Sequence, residues 1–218
     1  MKRADRIILP AVSLVFAVAG YAIYGWVTAP HYYTAPAEAR IEVKYNPRQE
    51  TIEDVSIPVI RIGSNDIYLF ALAGYDISAV LVSKRKYRSG FMHELSPWDY
   101  ALVWGSVPQY LEYLEFNQII RFCLFTARAD IPIDPGYVQV HMSNNHLIPA
   151  NRNIRRALPL ARVGDEVRIS GYLVHAQAVG KTGSVTNWQS STSRTDTGNG
   201  ACEIIYVTAL RIGDRIYE

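Results

Sequence analysis

Hydrophobic and polar positions alternate along the last third of the chain. In EVRISGYLVHAQAV (166–179), Val167, Ile169 and Leu173 share one face, which is the period of a half-buried strand. A Gly-rich loop at 180–184 leads to NWQSSTS, and EIIYVTALRI (203–212) is rich in β-branched residues. Three strands joined by turns, with Gly171 interrupting the first, predict an antiparallel curled sheet or a small barrel of OB-like character.

The middle of the chain predicts more strands and short helices. Three helix starts are visible: Ser96-Pro97 with an acid at Asp99, a capping box of Ser106 and Gln109, and an Asn cap at Asn151. Apolar runs, some of them alternating with polar residues, indicate the strands. Strands are expected at IYLFALAG, at ISAVLVSKRKYR, over 118–126 where Arg121 alone breaks the apolar run, and over 137–142; helices are expected from Ser96 to Gly105, from Ser106 to about Phe116, and from Asn151 to Pro159.

One apolar run, Ile7 to Val27, contains no charge. Twenty-one residues at 1.5 Å each span about 30 Å, the thickness of a bilayer core. A signal peptide cleaved after Ala17-Val18-Ala19 is the alternative. Because the run continues past Ala19 through several aromatic residues, we expect a single transmembrane helix.

Charges and aromatic residues at the two ends of this run predict its orientation. Lys2, Arg3 and Arg6 precede it, whereas no Lys or Arg follows before Arg40, so the positive-inside rule places the N-terminus in the cytoplasm and residues 28–218 outside, which is the periplasm if the membrane is the inner membrane of a Gram-negative bacterium. The expected interface aromatics are Tyr24, Trp26, Tyr32 and Tyr33. The predicted organisation is a cytoplasmic tail at 1–6, a transmembrane helix at 7–27, an extended linker with a first strand at 28–64 and a β-rich α+β external domain with two or three short helices at 65–218.

Charge balance bears on the kind of partner. Removing the N-terminal tail from the totals of 22 basic and 20 acidic residues leaves the external part formally neutral, which argues against a nucleic-acid partner. Two local basic runs, Lys84–Arg88 and the group Arg152, Arg155, Arg156 and Arg162, are either solvated faces or docking sites for an acidic partner or anionic lipid.

The tripeptide Asp196-Thr197-Gly198 is found around the reactive carboxylate of aspartic proteases. That chemistry needs two such turns, each preceded by apolar residues. Here Arg194 and Thr195 precede the Asp, and there is no second copy. The chain also lacks a G-x-S-x-G or Walker sequence, so the sequence predicts no catalytic residue.

Two polar loops are the candidate binding segments. Asn145 and His146 lie in one, and Arg194 and Asp196 lie in the other. Such side chains either brace loop backbones or line a ligand pocket, and bracing is the favoured interpretation. Zinc held by His141, His146, His175 and Asp196 lacks the spacing of known zinc sites. Calcium held by Asp196 and Asn199 would have a single carboxylate, which is too few for a tight oxygen cage, so neither a metal nor a cofactor is predicted.

The two cysteines, Cys123 and Cys202, would face an oxidising compartment under the predicted topology. Sequence cannot supply the distance between them. Whether they form a disulfide or remain small core residues stays open.

Four segments carry a resemblance to a known group of proteins. They are Asp99-Tyr-Ala-Leu-Val-Trp-Gly105, Ser143-Asn-Asn-His-Leu-Ile-Pro-Ala150, Val163 to Val174 and Ser190 to Glu203. On these segments the chain resembles a family of uncharacterised bacterial membrane-anchored exported proteins. The resemblance implies a shared external fold and assigns no activity.

The function expected from the sequence is that of a non-enzymatic accessory or scaffold subunit of a larger bacterial membrane complex. The apolar anchor and the neutral, aromatic-rich exterior favour it, with other membrane subunits and the lipid bilayer as partners and no small-molecule substrate identified. The alternative is a periplasmic ligand-binding or hydrolytic module in which His146 and Asp196 share a polar pocket.

Overall fold

A computed structural model describes Gly25 and residues 28–90, 92–193 and 202–218. The chain divides into two compact units, residues 1–31 and 32–218. Within the described residues, no helix combines the length and apolar character needed to cross a membrane. The predicted anchor at 7–27, with Tyr24 and Trp26, lies outside the described residues except for Gly25.

The second unit is β-rich with few helices, as predicted. Its short helices are α1 (Pro135–Val140), α2 (Arg152–Ala157) and 3₁₀ turns at Val107–Tyr113 and Leu158–Leu160. The described strands are β1 (Tyr33–Thr34), β2 (Arg48–Glu50), β3 (Ile60–Ile62), β4 (Asn65–Lys86), β5 (Trp98–Val103), β6 (Leu114–Ile119), β7 (Phe122–Ala127), β8 (Met142–Pro149), β9 (Glu166–Val179), β10 (Val185–Gln189), β11 (Glu203–Ile212) and β12 (Arg215–Tyr217).

Five strands close into a barrel in the order β4-β5-β8-β11-β9, and β9 pairs back with β4. Four of the five pairings are antiparallel. The exception is β8 with β11, which run parallel from Glu203↔Asn145 to Val207↔Pro149. The sequence predicted an antiparallel curled sheet or a small OB-like barrel, and this parallel pair departs from the first of these two forms. α2 and β9 intervene between β8 and β11 in the chain.

The barrel closes because β4 is long enough to serve two neighbours. Its first part pairs with β9 from Asp66 to Val80, and its last part pairs with β5 from Val80 to Lys86. The expected break at 74–76 is absent, since Gly74 pairs with β2 on one side and β9 on the other.

The pairing of β9 with β11 depends on Gly171. A Cβ at this position would lie 2.0 Å from the carbonyl oxygen of Tyr206. Only glycine allows the two backbones to approach so closely. The residue that interrupts the predicted strand is therefore the one that lets the barrel close.

The core has three parts. The barrel interior is filled by residues such as Tyr100, Leu147 and Ile205. A second cluster, including Leu95 and Ile148, lies under the β4–β5 loop, and a third packs near α1. Burial of these apolar side chains is the main stabilising contribution.

Local signals failed where long-range pairing decided the structure. Trp98–Val103 was expected to be helical, but it is β5, because it pairs on both sides and buries Tyr100 and Leu102 in the barrel. Conversely, the strand expected at 137–142 is largely α1, whose N-terminus is capped by the Asp134 carboxylate accepting from Gly136 N. The helix predicted after Asn151 is confirmed as α2. The Asn151 side chain caps it by accepting a hydrogen bond from Ile154 N at 2.9 Å.

The segment expected to be one strand over 118–126 is instead a hairpin of β6 and β7. Its two-residue turn is Ile120-Arg121, and both residues have positive φ, 45° and 61°. Two-residue hairpins favour this conformation, which usually requires Asn or Gly. A β-branched residue here stores backbone strain, which proteins retain mostly at functional positions.

Candidate functional site

Asp99 and His146 face each other on the outside of the barrel as direct partners of β5 and β8. Both are buried, and the Asp99 side chain is 0% exposed. His146 Nδ1 lies 2.9 Å from Asp99 Oδ1 but does not meet hydrogen-bond geometry. The contact is therefore a close electrostatic one.

Arg121, in the β6–β7 turn, forms an ion pair with the same carboxylate. Its Nη1 donates to Asp99 Oδ1 at 2.9 Å, and its Nη2 donates to the Ser96 carbonyl at 2.9 Å. Its guanidinium lies 4.0 Å from the centre of the Tyr87 ring and 5.3 Å from that of Trp188. Burial lowers the pKa of Arg121, and the charge of Asp99 opposes that shift.

Hydrogen bonds hold the hairpin on the barrel. Asn144 Nδ2 donates to the Arg121 carbonyl at 2.8 Å, and Gln118 Nε2 donates to Asn144 Oδ1 at 3.1 Å. The Arg121 main-chain N–H donates to the Tyr87 hydroxyl at 3.1 Å. Burial raises the pKa of Tyr87 to about 12, and nearby Asp99 adds to that rise. Asn144 and Tyr87 thus hold the strained turn through hydrogen bonds to the main chain of Arg121.

A cavity of about 470 Å³ opens beside this cluster. It lies between the β4–β5 loop, the hairpin tip, His146 of β8, the end of β10 and Cys202. The His146 ring packs on Trp188 at 4.8 Å between ring centres. The lining residues are Tyr87, Ser89, Gly90, Ile120, Arg121, Phe122, His146, Trp188, Gln189 and Cys202.

Several buried polar atoms next to the cavity lack a hydrogen-bond partner among the described residues. They include Ser96 Oγ and Asp99 Oδ2. Each such group costs roughly 1–3 kcal/mol when it stays unsatisfied, and native structures contain few of them. Their concentration around one cavity is typical of a site that contributes to function at the expense of stability.

Of the four loop residues predicted to form a site, the structure places two, and it separates them. His146 lines the cavity. Asn145 points the opposite way, into the barrel, where its Nδ2 donates to the Tyr100 carbonyl and to Ser143 Oγ at 3.1 and 2.8 Å. Arg194 and Asp196 lie outside the described residues.

Cys123 and Cys202 are both free thiols in the structure. Cys202 lines the cavity, with its Sγ 3.7 Å from the Arg121 carbonyl oxygen. Burial raises the pKa of each thiol to about 12, so both stay protonated at neutral pH. Because thiolates are the reactive form, the cavity does not present an activated cysteine.

Over the described part of the chain, no group of three or more His, Cys, Asp or Glu side chains is arranged to hold a metal ion. Of the residues expected as interface aromatics, Tyr32 and Tyr33 are half exposed. The Tyr33 hydroxyl donates to the Glu218 carboxylate at 2.7 Å, and the Tyr32 ring lies against Tyr217 and Arg215.

Sequence reasoning missed Asp99, Tyr87 and Trp188 as site residues. Asp99 was interpreted as an acid in the first turn of a helix. Arg121 had a visible signal, since it is the only polar residue inside an apolar run, but no partner could be assigned to it.

Comparison of the chain with protein-family models, with curated proteins and with solved structures finds no match in any of the three. The site is therefore interpreted from its own geometry.

Proposed function

We propose that the protein is a non-catalytic binding protein that takes a small ligand in the cavity beside Asp99, Arg121 and His146. The observation that carries this proposal is a cavity with aromatic walls that lies beside buried, partly unsatisfied polar groups. Such convergence of a few polar groups in a largely apolar pocket is typical of ligand sites.

The topology supports the same function. The strand order and the short helix α2 between the third and fourth barrel strands lead us to infer an OB-type barrel. Barrels of that type bind ligands on the face of their second and third strands, between the first and last loops. Here those strands are β5 and β8, which carry Asp99 and His146.

The chemistry of the lining groups favours binding over catalysis. The Asp99 carboxylate is fully buried and paired with Arg121, and the Cys202 thiol is kept protonated by burial. The ion pair and its contacts position the walls and supply polarity, without an activated nucleophile.

The test is a titration of the full-length chain with small neutral, cationic and anionic aromatic compounds, followed by tryptophan fluorescence. At least one compound should give a saturable change that is lost in Trp188→Phe. Trp98→Phe is the matched control, because Trp98 lies outside the cavity lining. If no compound gives a saturable change, or if both variants respond like the parent, the proposal fails.

A second proposal concerns assembly: a membrane-anchored accessory subunit, as expected from the sequence. What supports it is an apolar patch on the hairpin, where Ile119 is 52%, Ile120 80% and Leu124 58% exposed. Exposed apolar groups of this kind commonly mark interaction sites. A tagged chain purified in mild detergent should bring down stoichiometric partners, and Leu124→Thr should reduce their yield. Recovery of a clean monomer from the unaltered chain would refute this assignment.

A further inference from the structure

We propose that the cavity selects a small organic anion, a planar ring carrying a carboxylate or phosphate group. This inference rests on the proposed binding function and specifies the ligand. It starts from the charges that a ligand would meet. Of the residues that line the cavity, Arg121 alone carries a permanent charge. The Asp99 carboxylate lies behind it, fully buried.

Arg121 has donors left for a ligand. A guanidinium carries five N–H groups. One is bound to Asp99 Oδ1 and one to the Ser96 carbonyl, which leaves three without a partner among the described residues. The two existing bonds hold the guanidinium in one orientation, so the remaining donors are already positioned. Planar, two-oxygen anions match such a donor set with paired, charge-assisted hydrogen bonds.

The surroundings add positive charge. Tyr87, on the cavity wall, is flanked by Arg85, Lys86 and Arg88. All three are exposed, and Arg85 donates to the Gln118 carbonyl at 2.7 Å, which keeps it close to the hairpin. Clustered cations of this kind attract anions to a cleft.

The apolar cavity walls favour a ligand with a planar ring. Trp188, Phe122 and Ile120 present apolar surface to the cavity, while one face of Tyr87 is already covered by the guanidinium. A volume of about 470 Å³ admits a fused ring system with one anionic group. A neutral ring would leave the three guanidinium donors unsatisfied, and a cation would be repelled by them.

Four probes test the proposal by calorimetry on the full-length chain in detergent, with a protein-free blank. They are 2-naphthoate, its neutral analogue 2-naphthamide, acetate as an anion without a ring, and adenosine 5′-monophosphate. Naphthoate should bind roughly tenfold more tightly than naphthamide, and acetate should not bind measurably. Adenosine 5′-monophosphate distinguishes a phosphate ligand from a carboxylate ligand, because a nucleotide pocket would bind the monophosphate more tightly than naphthoate.

Arg121→Gln should abolish the preference for naphthoate over naphthamide. Arg128→Gln is the matched control, since Arg128 follows the same hairpin and pairs with exposed Asp130. If Arg121→Gln does not fold, salt titration of the unaltered protein provides the test: affinity for naphthoate should fall with added NaCl, and affinity for naphthamide should not.

Equal binding of naphthoate and naphthamide would overturn the anion inference while leaving the binding function in place. Binding of none of the four probes would overturn the anion inference too. The proposed binding function is then tested separately by the titration with neutral and cationic compounds, and it fails only if none of those compounds binds.

Discussion

Arg121 and Asp99 are 22 positions apart in the chain, yet Arg121 Nη1 lies 2.9 Å from Asp99 Oδ1. Arg121 lies at the tip of the β6–β7 hairpin, and Asp99 is the second residue of the barrel strand β5. Their ion pair therefore links the hairpin to the barrel, together with the hydrogen bonds of Asn144 to Gln118 and to the Arg121 carbonyl.

Replacing Asp99 by Ala should destabilise the protein by about 3–5 kcal/mol, because it leaves the largely buried Arg121 without its counter-charge. Asp130→Ala is the control: it removes an exposed partner of Arg128, with both side chains 62% exposed, and should cost less than about 1 kcal/mol. Urea unfolding measures both. Similar losses for the two variants would show that the buried pair has no special role.

The turn offers a stabilising substitution. Ile120→Asn should raise the free energy of unfolding by about 0.5–1 kcal/mol, because Asn tolerates positive φ and Ile120 is too exposed to lose much packing. Ile119→Asn, one residue earlier in a strand, should give no gain. The same denaturant series reports both values. A loss of stability in Ile120→Asn would mean that the turn is not strained.

Gly171→Ala should prevent folding or cost more than about 4 kcal/mol, since the added Cβ would meet the Tyr206 carbonyl at 2.0 Å. Gly213→Ala is a suitable comparison. Gly213 also has positive φ, but open space surrounds its Cβ direction, so the cost should be about 1 kcal/mol. Thermal unfolding followed by circular dichroism would distinguish the two. A well-folded Gly171→Ala protein would contradict the barrel closure described above.

The thiols should react slowly. With the pKa of Cys123 and Cys202 raised to about 12, the thiolate fraction at pH 8 is smaller by a factor on the order of 1,000 than for an ordinary cysteine. Because the folded state favours the protonated thiol, reaction with iodoacetamide should accelerate only as the pH rises toward 12. Mass spectrometry of native and urea-unfolded samples compares the rates.

A reductant-treated sample serves as the reference for that experiment. If the thiols react equally fast in the native and unfolded protein, the raised pKa is wrong. If unfolded protein reacts only after reduction, the two cysteines form a disulfide in the purified protein, which would contradict the free thiols of the structure.

The barrel strands near the C-terminus were predictable because their signals are local. β11 was predicted at its observed bounds, and β9 follows directly from the Gly164-Asp165 turn. Alternation and turn residues act within a few positions, so no knowledge of the rest of the fold was needed.

The site was less predictable for a physical reason. Its hairpin turns at Ile120-Arg121, without the Asn or Gly that usually indicates a tight turn, so the segment looked like one continuous strand. Asp99 follows Ser96-Pro97, a helix start by every local rule, but pairing with two neighbouring strands outweighs that preference. His146 was named from the sequence and lines the cavity, but its neighbour Asp99 could not be identified without the barrel.

The hairpin also limits what this barrel can accept. By docking Gln118 and Arg121 against Asn144 and Asp99, it covers these two residues on the outer face of β5 and β8. Under the proposed OB-type barrel this is the ligand-binding face. We therefore expect molecules that fit a cavity of about 470 Å³ to bind there, and long chains of sugars or nucleotides not to bind.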